Sequence, residues 1–170
     1  MVLNQQDVAK ARAGDREAFG ALYDAVAPEL YKVALYTLRS PQDAEDAVSE
    51  TFMEAYKGIG GLREDGSFRP WIMRILSIRC KRRIGSYVKE KGNIDIDDYI
   101  EEGVPDRSSQ RAEVLEALDR LSAEEREIVI LSALQGYTMR EIAEILQLPQ
   151  GTVSSKLHRT LKKLRGMLST

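Results

Sequence analysis

The chain has 170 residues, of which 43% are hydrophobic and 31% charged, a composition typical of a soluble globular protein with one ordinary domain or two small ones. The longest stretch without a charge, Ile128 to Met139, is too short to span a membrane, and the polar N-terminus lacks the apolar core of a signal peptide. We therefore expect a cytoplasmic protein without membrane insertion. The chain has a single cysteine, Cys80, which excludes an internal disulfide. Together with the single histidine, His158, it supplies too few ligands for zinc, so no metal or cofactor is expected.

The net charge of −2 hides an uneven distribution of charge along the chain. Residues 69–91 carry eight Lys or Arg against a single acid, Glu90, and residues 150–170 carry five Lys or Arg and no acid. Between these two basic patches, residues 93–112 carry six acids and two Arg. Two basic patches that flank an acidic connector indicate two surfaces for a polyanion.

Helical spacing of apolar residues dominates, and no convincing run of alternating apolar and polar residues indicates a strand, so the fold class is predicted to be all-α. Four helix starts are marked chemically. Asp15 and Ser40 are predicted N-caps, the latter followed by proline at the first helical position, while Ser122 and Thr138 begin capping boxes.

The segment 92–112 interrupts this regularity, because Gly103, Pro105 and the acid cluster show little helical periodicity. We predict a flexible acidic linker there, long enough to let two domains bind separate surfaces. The two small helical domains are placed at residues 1–91 and 113–170.

The C-terminal segment has the pattern of a helix-turn-helix. A turn is predicted at 135–137, then a short helix, an interruption at 147–151 and a longer helix. The longer helix is predicted to bury one stripe, formed by Val153, Leu157, Leu161, Leu164 and Leu168.

The opposite face of the longer helix carries small polar and basic residues. Hydroxyls and cations near the start of such a helix can reach base edges in the major groove, and later cations can meet phosphates. A solvated basic face on a helical hairpin is the alternative, and His158 alone is more often a surface residue than a base reader. The candidate residues for duplex DNA are Thr138, Arg140, Thr152, Ser154, Ser155, Lys156, His158, Arg159 and Lys162.

The predicted helix at 40–56 carries an acidic stripe. Its acids recur at steps of three and four residues, and Phe52 is predicted to be exposed beside them. The stripe is either a solvated face or a docking surface for a basic helical partner, for which charge steers the encounter and apolar contact supplies lifetime. The candidate docking residues are Asp43, Asp46, Glu50, Phe52 and Glu54.

A glycine-rich loop at 58–67 leads into an aromatic and basic segment. Rings can stack on unstacked bases and cations can hold the strand, which suits the capture of single-stranded DNA. For Trp71 a core position is the competing interpretation. The candidate residues are Arg63, Ser67, Phe68, Arg69, Trp71, Arg74, Arg79, Lys81, Arg82 and Arg83.

The stretches 136–146 and 149–159 closely resemble region 4 of the extracytoplasmic-function (ECF) sigma factors. Residues 43–52 resemble region 2.2 of that family, and 58–83 resemble regions 2.3 and 2.4. The chain departs from the usual family pattern at Ser154, where Lys is usual, at Lys156, where Arg is usual, at Pro70, where Thr is common, and in its glycine-rich loop.

The resemblance implies a transcription initiation factor. Region 4 would bind the −35 promoter element, and regions 2.3 and 2.4 would open the −10 element and hold a flipped base. Region 2.2 would dock on the clamp of the largest subunit of RNA polymerase, and the flap of the second subunit is a further expected partner. The linker would run towards the catalytic centre, and an anti-sigma factor, which can hold such a protein at the membrane, is also expected.

Two other classes of protein compete with this interpretation. One is a DNA-binding regulator with a helical sensor or dimerisation domain, since many regulators end in a similar helix-turn-helix. It does not need an acidic docking helix followed by a loop, aromatics and clustered cations. The other is a hydrolase or transferase, for which the chain has no phosphate-binding loop and no nucleophile elbow. We therefore expect a sigma factor that is not an enzyme.

Overall fold

A computed structural model describes residues 3–90 and 109–168, with side chains described for 3–85 and 112–168. These two ranges contain helices and no strand, which confirms the all-α fold class. The helices are α1 (Gln5–Arg12), α2 (Arg16–Leu38), α3 (Pro41–Gly58), α4 (Phe68–Glu90), α5 (Ser109–Asp119), α6 (Ala123–Val129), α7 (Met139–Leu146) and α8 (Gln150–Leu168). Short 3-10 turns lie at Ile59–Gly61 and Asp65–Ser67, and a π-helical turn, Ile130–Leu134, continues α6.

All four predicted caps are formed. Side-chain oxygens of Asp15 and Ser40 accept backbone hydrogen bonds of 3.1 and 3.2 Å at the starts of α2 and α3. Ser122 and Thr138 form reciprocal capping boxes with a glutamate three residues further on. Each cap satisfies amides that a helix start leaves without an intrahelical partner, so local chemistry sets where these helices begin.

Helices α1–α4 form the N-terminal bundle (residues 3–90), and the predicted exposure of Phe52 is wrong within it. Only 5% of Phe52 is exposed, and its ring centroid lies 4.1 Å from that of Tyr23 and 6.2 Å from that of Phe19. The reason is helical phase. Phe52 follows Ala44 and Val48 at four-residue steps, and this row of α3 faces the core.

Helices α5–α8 form the C-terminal bundle (residues 109–168), in which α7 and α8 are the predicted helix-turn-helix. Gly136 (φ 72°) and Gln147 (φ 57°) adopt left-handed conformations in the turns on either side of α7. The predicted stripe on α8 is only partly confirmed. Val153 and Leu164 are buried, but Leu168 is 49% exposed because α8 runs beyond the core, and Thr160 is fully buried in the stripe.

The two bundles share one apolar core. Helix α7 packs against α4, and its residues Ile142 and Ile145 belong to the same buried cluster as Leu76 of α4. A smaller cluster around Leu121 and Leu164 joins α5 and α6 to α8. The helix-turn-helix is therefore seated on the N-terminal bundle.

Part of the predicted linker, including its six acids, lies outside the described residues. The side chains of Lys89 and Lys91, from the basic patch at 69–91, lie outside them as well. Helix α5 begins at Ser109, within the last four residues assigned to the linker. Across the helices that the structure describes, none has both the length and the apolar character needed to cross a membrane.

Candidate nucleic-acid interface

The acids of α3 and two cations of α4 bind one another. Arg79 Nη2 lies 2.7 Å from Glu54 Oε2, at the C-terminal end of the stripe. The guanidinium of Arg83 contacts three further acids: Glu50 at 2.5 Å, Asp43 at 3.4 Å and Asp46 at 3.8 Å. Arg79 Nη1 also lies 4.0 Å from Glu50 Oε2. The four acids of the predicted docking stripe therefore form one ion-pair network with Arg79 and Arg83, and this network joins α3 to α4.

The network divides five candidate cations of α4 into two sets. Arg79 and Arg83 are partly covered, with 26% and 24% of their side chains exposed. Arg74, Lys81 and Arg82 are exposed. The exposed set can meet a phosphate without first breaking an internal ion pair of the network.

A cleft of about 480 Å³ opens where the glycine-rich loop meets the start of α4. Trp71 is half-buried, so one part of its ring packs against the core while another part faces this cleft. The ring therefore belongs partly to the core and partly to the wall of the cleft. The cleft is lined by Gly61, Leu62, Arg63, Ser67, Pro70, Trp71, Arg74, Glu144 and Gln147.

Phe68 does not reach the cleft as an exposed ring. It is 1% exposed and its centroid lies 6.0 Å from that of Trp71, on the core side. The expectation that Phe68 contacts DNA directly is therefore at odds with its burial. Phe68 begins α4 and packs behind the tryptophan, which fixes the orientation of the ring in the cleft.

Arg12 of α1 holds the glycine-rich loop, a role that the sequence did not indicate. Its Nη1 lies 2.5 Å from Asp65 Oδ1, and its Nη2 donates to the carbonyl of Arg63 at 3.4 Å. The two partners are more than fifty residues away in sequence, so no local pattern could reveal the contact.

Arg69 is partly covered, with 32% of its side chain exposed, and its guanidinium binds both bundles. Its guanidinium donates to Glu29 at 2.7 and 3.3 Å and to the carbonyl of Gln135 at 3.1 Å, and it lies 4.2 Å from the ring centroid of Tyr137. Burial by itself would lower the pKa of Arg69, but the hydrogen bond to Glu29 and the electrostatic effects of Tyr137, Glu29 and Glu141 together outweigh it, so the pKa is raised. The expected contact of Arg69 with DNA would require breaking this arrangement.

Tyr137 completes this cluster from the turn before α7. Its hydroxyl donates to Glu29 at 3.1 Å, and only 3% of the residue is exposed. Burial, followed by the nearby carboxylate of Glu29, raises the pKa of Tyr137, so the hydroxyl keeps its proton and remains a donor.

Further polar contacts cross between the bundles. Arg126, 1% exposed, donates to the carbonyls of Leu118 and Leu121 in its own bundle and to that of Thr37 at 3.2 Å in α2. Arg39, in a left-handed conformation (φ 58°) after α2, pairs with Asp119 at 2.9 Å. The sequence did not indicate the two contacts that cross between the bundles, because each joins residues at least eighty positions apart.

The face of α8 predicted to meet duplex DNA is largely exposed. Two of its candidate residues, Thr152 and Lys156, are partly covered. The exposed ones are Ser154, Ser155, His158, Arg159 and Lys162. At the start of α7, Thr138 and Arg140 are exposed as well, although the hydroxyl of Thr138 accepts the capping bond from Glu141.

Lys156 has a partner inside the C-terminal bundle. Its ammonium group binds the carboxylate of Glu124, in the first turn of α6. The neighbouring Glu125 accepts from Thr160 and Lys163 of α8. Burial alone would raise the pKa of Glu125, but the hydrogen bonds from Ser122 and the charge of Lys163 lower it, so its carboxylate stays ionised.

An apolar groove of about 300 Å³ lies on the outer side of the C-terminal bundle, between α5, the π-helical turn and α8. Three large hydrophobic residues exposed there, Val114, Leu134 and Leu168, are 41%, 44% and 49% exposed. The sequence did not single out this groove. The one available signal was the apolar stripe of α8, which continues beyond the core to Leu168.

Within the described ranges, no group of three or more His, Cys, Asp or Glu side chains is placed to hold a metal ion. Cys80 is buried, and burial raises the pKa of its thiol well above the usual range. The arrangement instead offers exposed cations, a half-buried tryptophan and a helix-turn-helix, which are the elements of a nucleic-acid-binding surface.

Comparison with known proteins agrees with a nucleic-acid-binding protein. Residues 22–90 match the family model for sigma-70 region 2, and residues 111–164 match the model for sigma-70 region 4. Two such regions in this order define a sigma factor, the promoter-recognition subunit of RNA polymerase.

Similar proteins show which kind of sigma factor this is. The ECF RNA polymerase sigma factor SigM of Mycobacterium tuberculosis (strain Erdman) is 32% identical over 173 residues, covering 98% of this chain and 87% of the relative. SigL of Mycobacterium tuberculosis (strain H37Rv), also an ECF sigma factor, is 31% identical over 166 residues, covering 93% of each chain. The chain belongs to the ECF family of RNA polymerase sigma factors, and it acts in promoter-directed transcription initiation.

Solved structures show the same architecture. CnrH, in complex with the cytosolic domain of CnrY, matches with a TM-score of 0.74 and 26% identity, covering 97% of this chain and 96% of that chain. The sigma factor RpoE of Bartonella quintana, in complex with the anti-sigma factor NepR, matches with a TM-score of 0.73 and 24% identity, covering 89% and 97%. The predictions of family, fold class and general function are thereby confirmed.

Proposed function

We propose that the chain works as a non-enzymatic subunit that recognises a promoter through two domains, residues 1–91 and 113–170. The observation that carries this proposal is the cleft at Trp71, where a half-buried ring, a glycine-rich loop and the exposed guanidinium groups of Arg63 and Arg74 meet. A base can stack on the ring while the cations hold the strand on either side of it. We assign this cleft to the −10 element.

Lys81 and Arg82 extend the cationic surface along α4 beyond the cleft. Both are exposed, so they can hold the phosphates of the opened strand. Three other cations of α4 bind carboxylates of α2 and α3 and are therefore assigned a structural role in this proposal: Arg69, Arg79 and Arg83. They act on DNA mainly by positioning α4.

Helix α8 supplies the contact with the −35 element. Ser154, Ser155 and His158 lie near its start and are exposed, and Arg159 and Lys162 follow on the same side. The hydroxyls and the imidazole are short enough to reach base edges, whereas Arg159 and Lys162 are placed for phosphates. Thr138 and Arg140, at the start of α7, add contacts with the DNA backbone.

The polymerase-docking surface is the acidic stripe of α3, with a different apolar contact from the one predicted. Met53 (63% exposed) and Tyr56 (48% exposed) lie beside Glu50 and Glu54, whereas Phe52 is buried. An exposed thioether and ring next to carboxylates fit a basic helix such as that of the polymerase clamp. The groove at Val114, Leu134 and Leu168 offers a second surface, for an apolar segment of the polymerase flap.

An anti-sigma factor is a further proposed partner. CnrH is seen with the cytosolic domain of CnrY, and RpoE with the anti-sigma factor NepR, both on the fold that this chain shares. We propose that the protein works in the cytoplasm and that an anti-sigma factor controls its access to polymerase.

Run-off transcription with purified core polymerase on a panel of promoters tests the proposal. We expect initiation from at least one promoter, loss of open-complex formation in Trp71→Ala, and loss of closed-complex formation in Arg159→Ala. Lys57→Ala, an exposed change at the end of α3, is the matched control and should keep full activity. Absence of initiation together with absence of core binding in gel filtration would refute the proposal.

A further inference from the structure

Helix α1 lies along the glycine-rich loop that lines the cleft at Trp71. A Cβ atom at Gly66 would lie 3.8 Å from Nε2 of Gln5, in the first turn of α1, and one at Gly60 would lie 4.0 Å from the carbonyl oxygen of Arg12, in its last turn. Both ends of the helix therefore lie close to the loop. The family match to sigma-70 region 2 does not include α1, so it assigns this helix no role.

Helix α1 is itself held in place at both ends. Val8 and Ala11 are 1% and 3% exposed and belong to the apolar core. The side chain of Asn4 caps the start of the helix, and just after its end the amide of Asp15 donates to the carbonyl of Lys10 at 3.0 Å. Packing and hydrogen bonds therefore fix the backbone at the last turn of α1.

Arg12 joins this fixed helix to the loop through two bonds. Its Nη1 lies 2.5 Å from Oδ1 of Asp65, and its Nη2 donates to the carbonyl of Arg63 at 3.4 Å. The guanidinium thus connects a side chain with the backbone two residues earlier, which fixes the orientation of the segment between them. Arg63 and Ser67 lie on either side of Asp65 and line the cleft.

The contact is too exposed to contribute much to the stability of the fold. The side chains of Arg12 and Asp65 are 30% and 33% exposed, and ion pairs with such access to water stabilise proteins only slightly. A contact that hardly stabilises the fold but holds a binding loop acts through preorganisation, because a loop already in its bound conformation loses less entropy when the ligand binds.

We propose that Arg12 is a positioning residue for the capture of single-stranded DNA: its guanidinium clamps the glycine-rich loop in the conformation that forms the wall of the cleft at Trp71. The proposal rests on the assignment of this cleft to the −10 element. Arg12 does not touch the strand. It acts through Arg63 and Ser67, whose positions decide how closely a base stacked on Trp71 is enclosed.

Loss of the clamp lowers the fraction of molecules whose loop is ready to bind. The apparent dissociation constant equals the intrinsic one divided by that fraction. We expect binding to weaken roughly threefold to fivefold, at the upper end of the effect of a partly exposed ion pair, because two bonds are lost together. A looser wall also discriminates less between bases, so the spread of affinities among them should shrink.

The fluorescence of Trp71 reports directly on the cleft, because Trp71 is the only tryptophan in the chain. The probe is a set of short oligothymidylates whose central base is adenine, cytosine, guanine or thymine, titrated into the full chain. A base that stacks on the ring should quench its emission, and each titration gives an affinity for one oligonucleotide.

Substitutions at Arg12 provide the first test. Arg12→Met removes both bonds and keeps the aliphatic part of the side chain, so it should show the full loss of affinity. Arg12→Lys keeps the charge but lacks the planar fork that holds a carboxylate and a carbonyl together, so it should recover only part of the affinity. Lys10→Met removes the same charge from an exposed position of α1 and is the matched control, which should bind like the wild type.

Asp65→Ala separates positioning from electrostatics. Removing a carboxylate near the cleft would strengthen the binding of a polyanion if only charge mattered. Because this variant no longer holds the guanidinium of Arg12, we expect weaker binding instead. Combined with Arg12→Met it should cost no more than Arg12→Met alone, since both changes remove the same contact.

Two results would overturn the proposal. One is binding by Asp65→Ala that equals or exceeds that of the wild type, and the other is a loss in Arg12→Met that Lys10→Met matches. Thermal unfolding accompanies the titrations, and the Tm of the Arg12 and Asp65 variants should stay within about 3 °C of the wild type. A larger fall in Tm would show that Arg12 supports the whole bundle, which also contradicts a positioning role.

Arg74→Ala distinguishes failure of this proposal from failure of the proposed function. If Arg74→Ala weakens binding while the variants at Arg12 and Asp65 leave it unchanged, the cleft binds DNA without help from Arg12. If no oligonucleotide changes the emission of Trp71, the assignment of the cleft to single-stranded DNA is itself wrong, and the positioning role falls with it.

Limited proteolysis reports on the loop without DNA. The carbonyl that accepts from Arg12 belongs to the peptide bond after Arg63, an exposed residue at which trypsin can cleave. Arg12→Met should speed cleavage at this bond severalfold, because the loop opens more often, whereas Lys10→Met should not. An unchanged rate of cleavage in Arg12→Met would show that the loop does not depend on the clamp and would overturn the proposal.

Discussion

The hydroxyl of Ser77, in the middle of α4, donates a 2.5 Å hydrogen bond to the carboxylate of Glu127 in α6, and both residues are buried. One donor and the more distant charge of Lys81 do not compensate for the water that Glu127 loses on folding, so burial raises its pKa above the ordinary 4.5. A charged carboxyl whose pKa is raised in the folded state opposes folding.

Glu127→Gln should therefore stabilise the protein in a pH-dependent manner. The penalty of the ionised carboxyl is absent below the unfolded pKa of about 4.5 and grows as pH rises towards the higher folded-state pKa. We expect the variant to exceed the wild type in Tm at about pH 8, with the difference shrinking as the pH falls towards 4.5. Thermal unfolding of both proteins across this range is the measurement. A Tm difference that does not depend on pH would contradict the assignment.

Arg126→Met should destabilise the protein strongly. The substitution keeps much of the side-chain volume but leaves the carbonyls of Thr37, Leu118 and Leu121 without their donor in a buried site. We expect a loss of about 3 kcal/mol in the free energy of unfolding, measured in urea. Arg120→Met, which removes an arginine that is 62% exposed, should cost less than about 1 kcal/mol. Equal losses would show that Arg126 does not join the bundles.

Phe52 and Met53 are adjacent residues for which we predict opposite phenotypes. Phe52→Ala should lower the free energy of unfolding by about 3 to 5 kcal/mol, because it leaves a cavity beside Tyr23. Met53→Ala, at a position that is 63% exposed, should leave stability nearly unchanged and weaken binding to core polymerase. Urea unfolding and a core-binding titration separate the two effects. Normal core binding by the methionine variant would exclude Met53 from the docking surface.

The cations of α4 should likewise fall into two groups. Lys81→Ala combined with Arg82→Ala should weaken single-stranded DNA binding and reduce the slope of log affinity against log salt by about 1 to 2, because exposed cations release counterions from phosphates. Arg83→Ala should mainly lower Tm, since it leaves Asp43, Asp46 and Glu50 without their shared partner. If Arg83→Ala changed the salt slope as much and Tm not at all, the ion-pair network would have no structural role.

Glu124 should restrain the DNA contact of Lys156. Because its carboxylate binds the ammonium group of Lys156, Glu124→Gln should increase affinity for duplex DNA and steepen the salt slope by about 1, whereas Lys156→Ala should do the reverse. Glu113→Gln removes the same charge from α5 and is the control. Fluorescence anisotropy over a range of salt concentrations is the measurement, and equal gains in both glutamine variants would show a general charge effect instead.

Much of the architecture was predictable because it depends on local chemistry. The four caps at Asp15, Ser40, Ser122 and Thr138 each bind an amide three residues away, so their patterns are legible in the sequence. The helix-turn-helix and the order of the two sigma regions follow from motifs that are contiguous in the chain. The sequence by itself therefore determined the fold class, the family and the general function.

Tertiary structure alone decided which polar side chains remain available to a partner. The sequence placed Arg69, Arg79 and Arg83 with the other cations of α4, but these three bind carboxylates of α2 and α3, and Phe52 turns inward with the apolar row of α3. The contacts that join the bundles link residues as far apart as 108 positions, as with Tyr137 and Glu29. Helical periodicity predicts which face of a helix a residue occupies. The partner of a buried charge depends on how distant helices pack together, and no local sequence pattern indicates that packing.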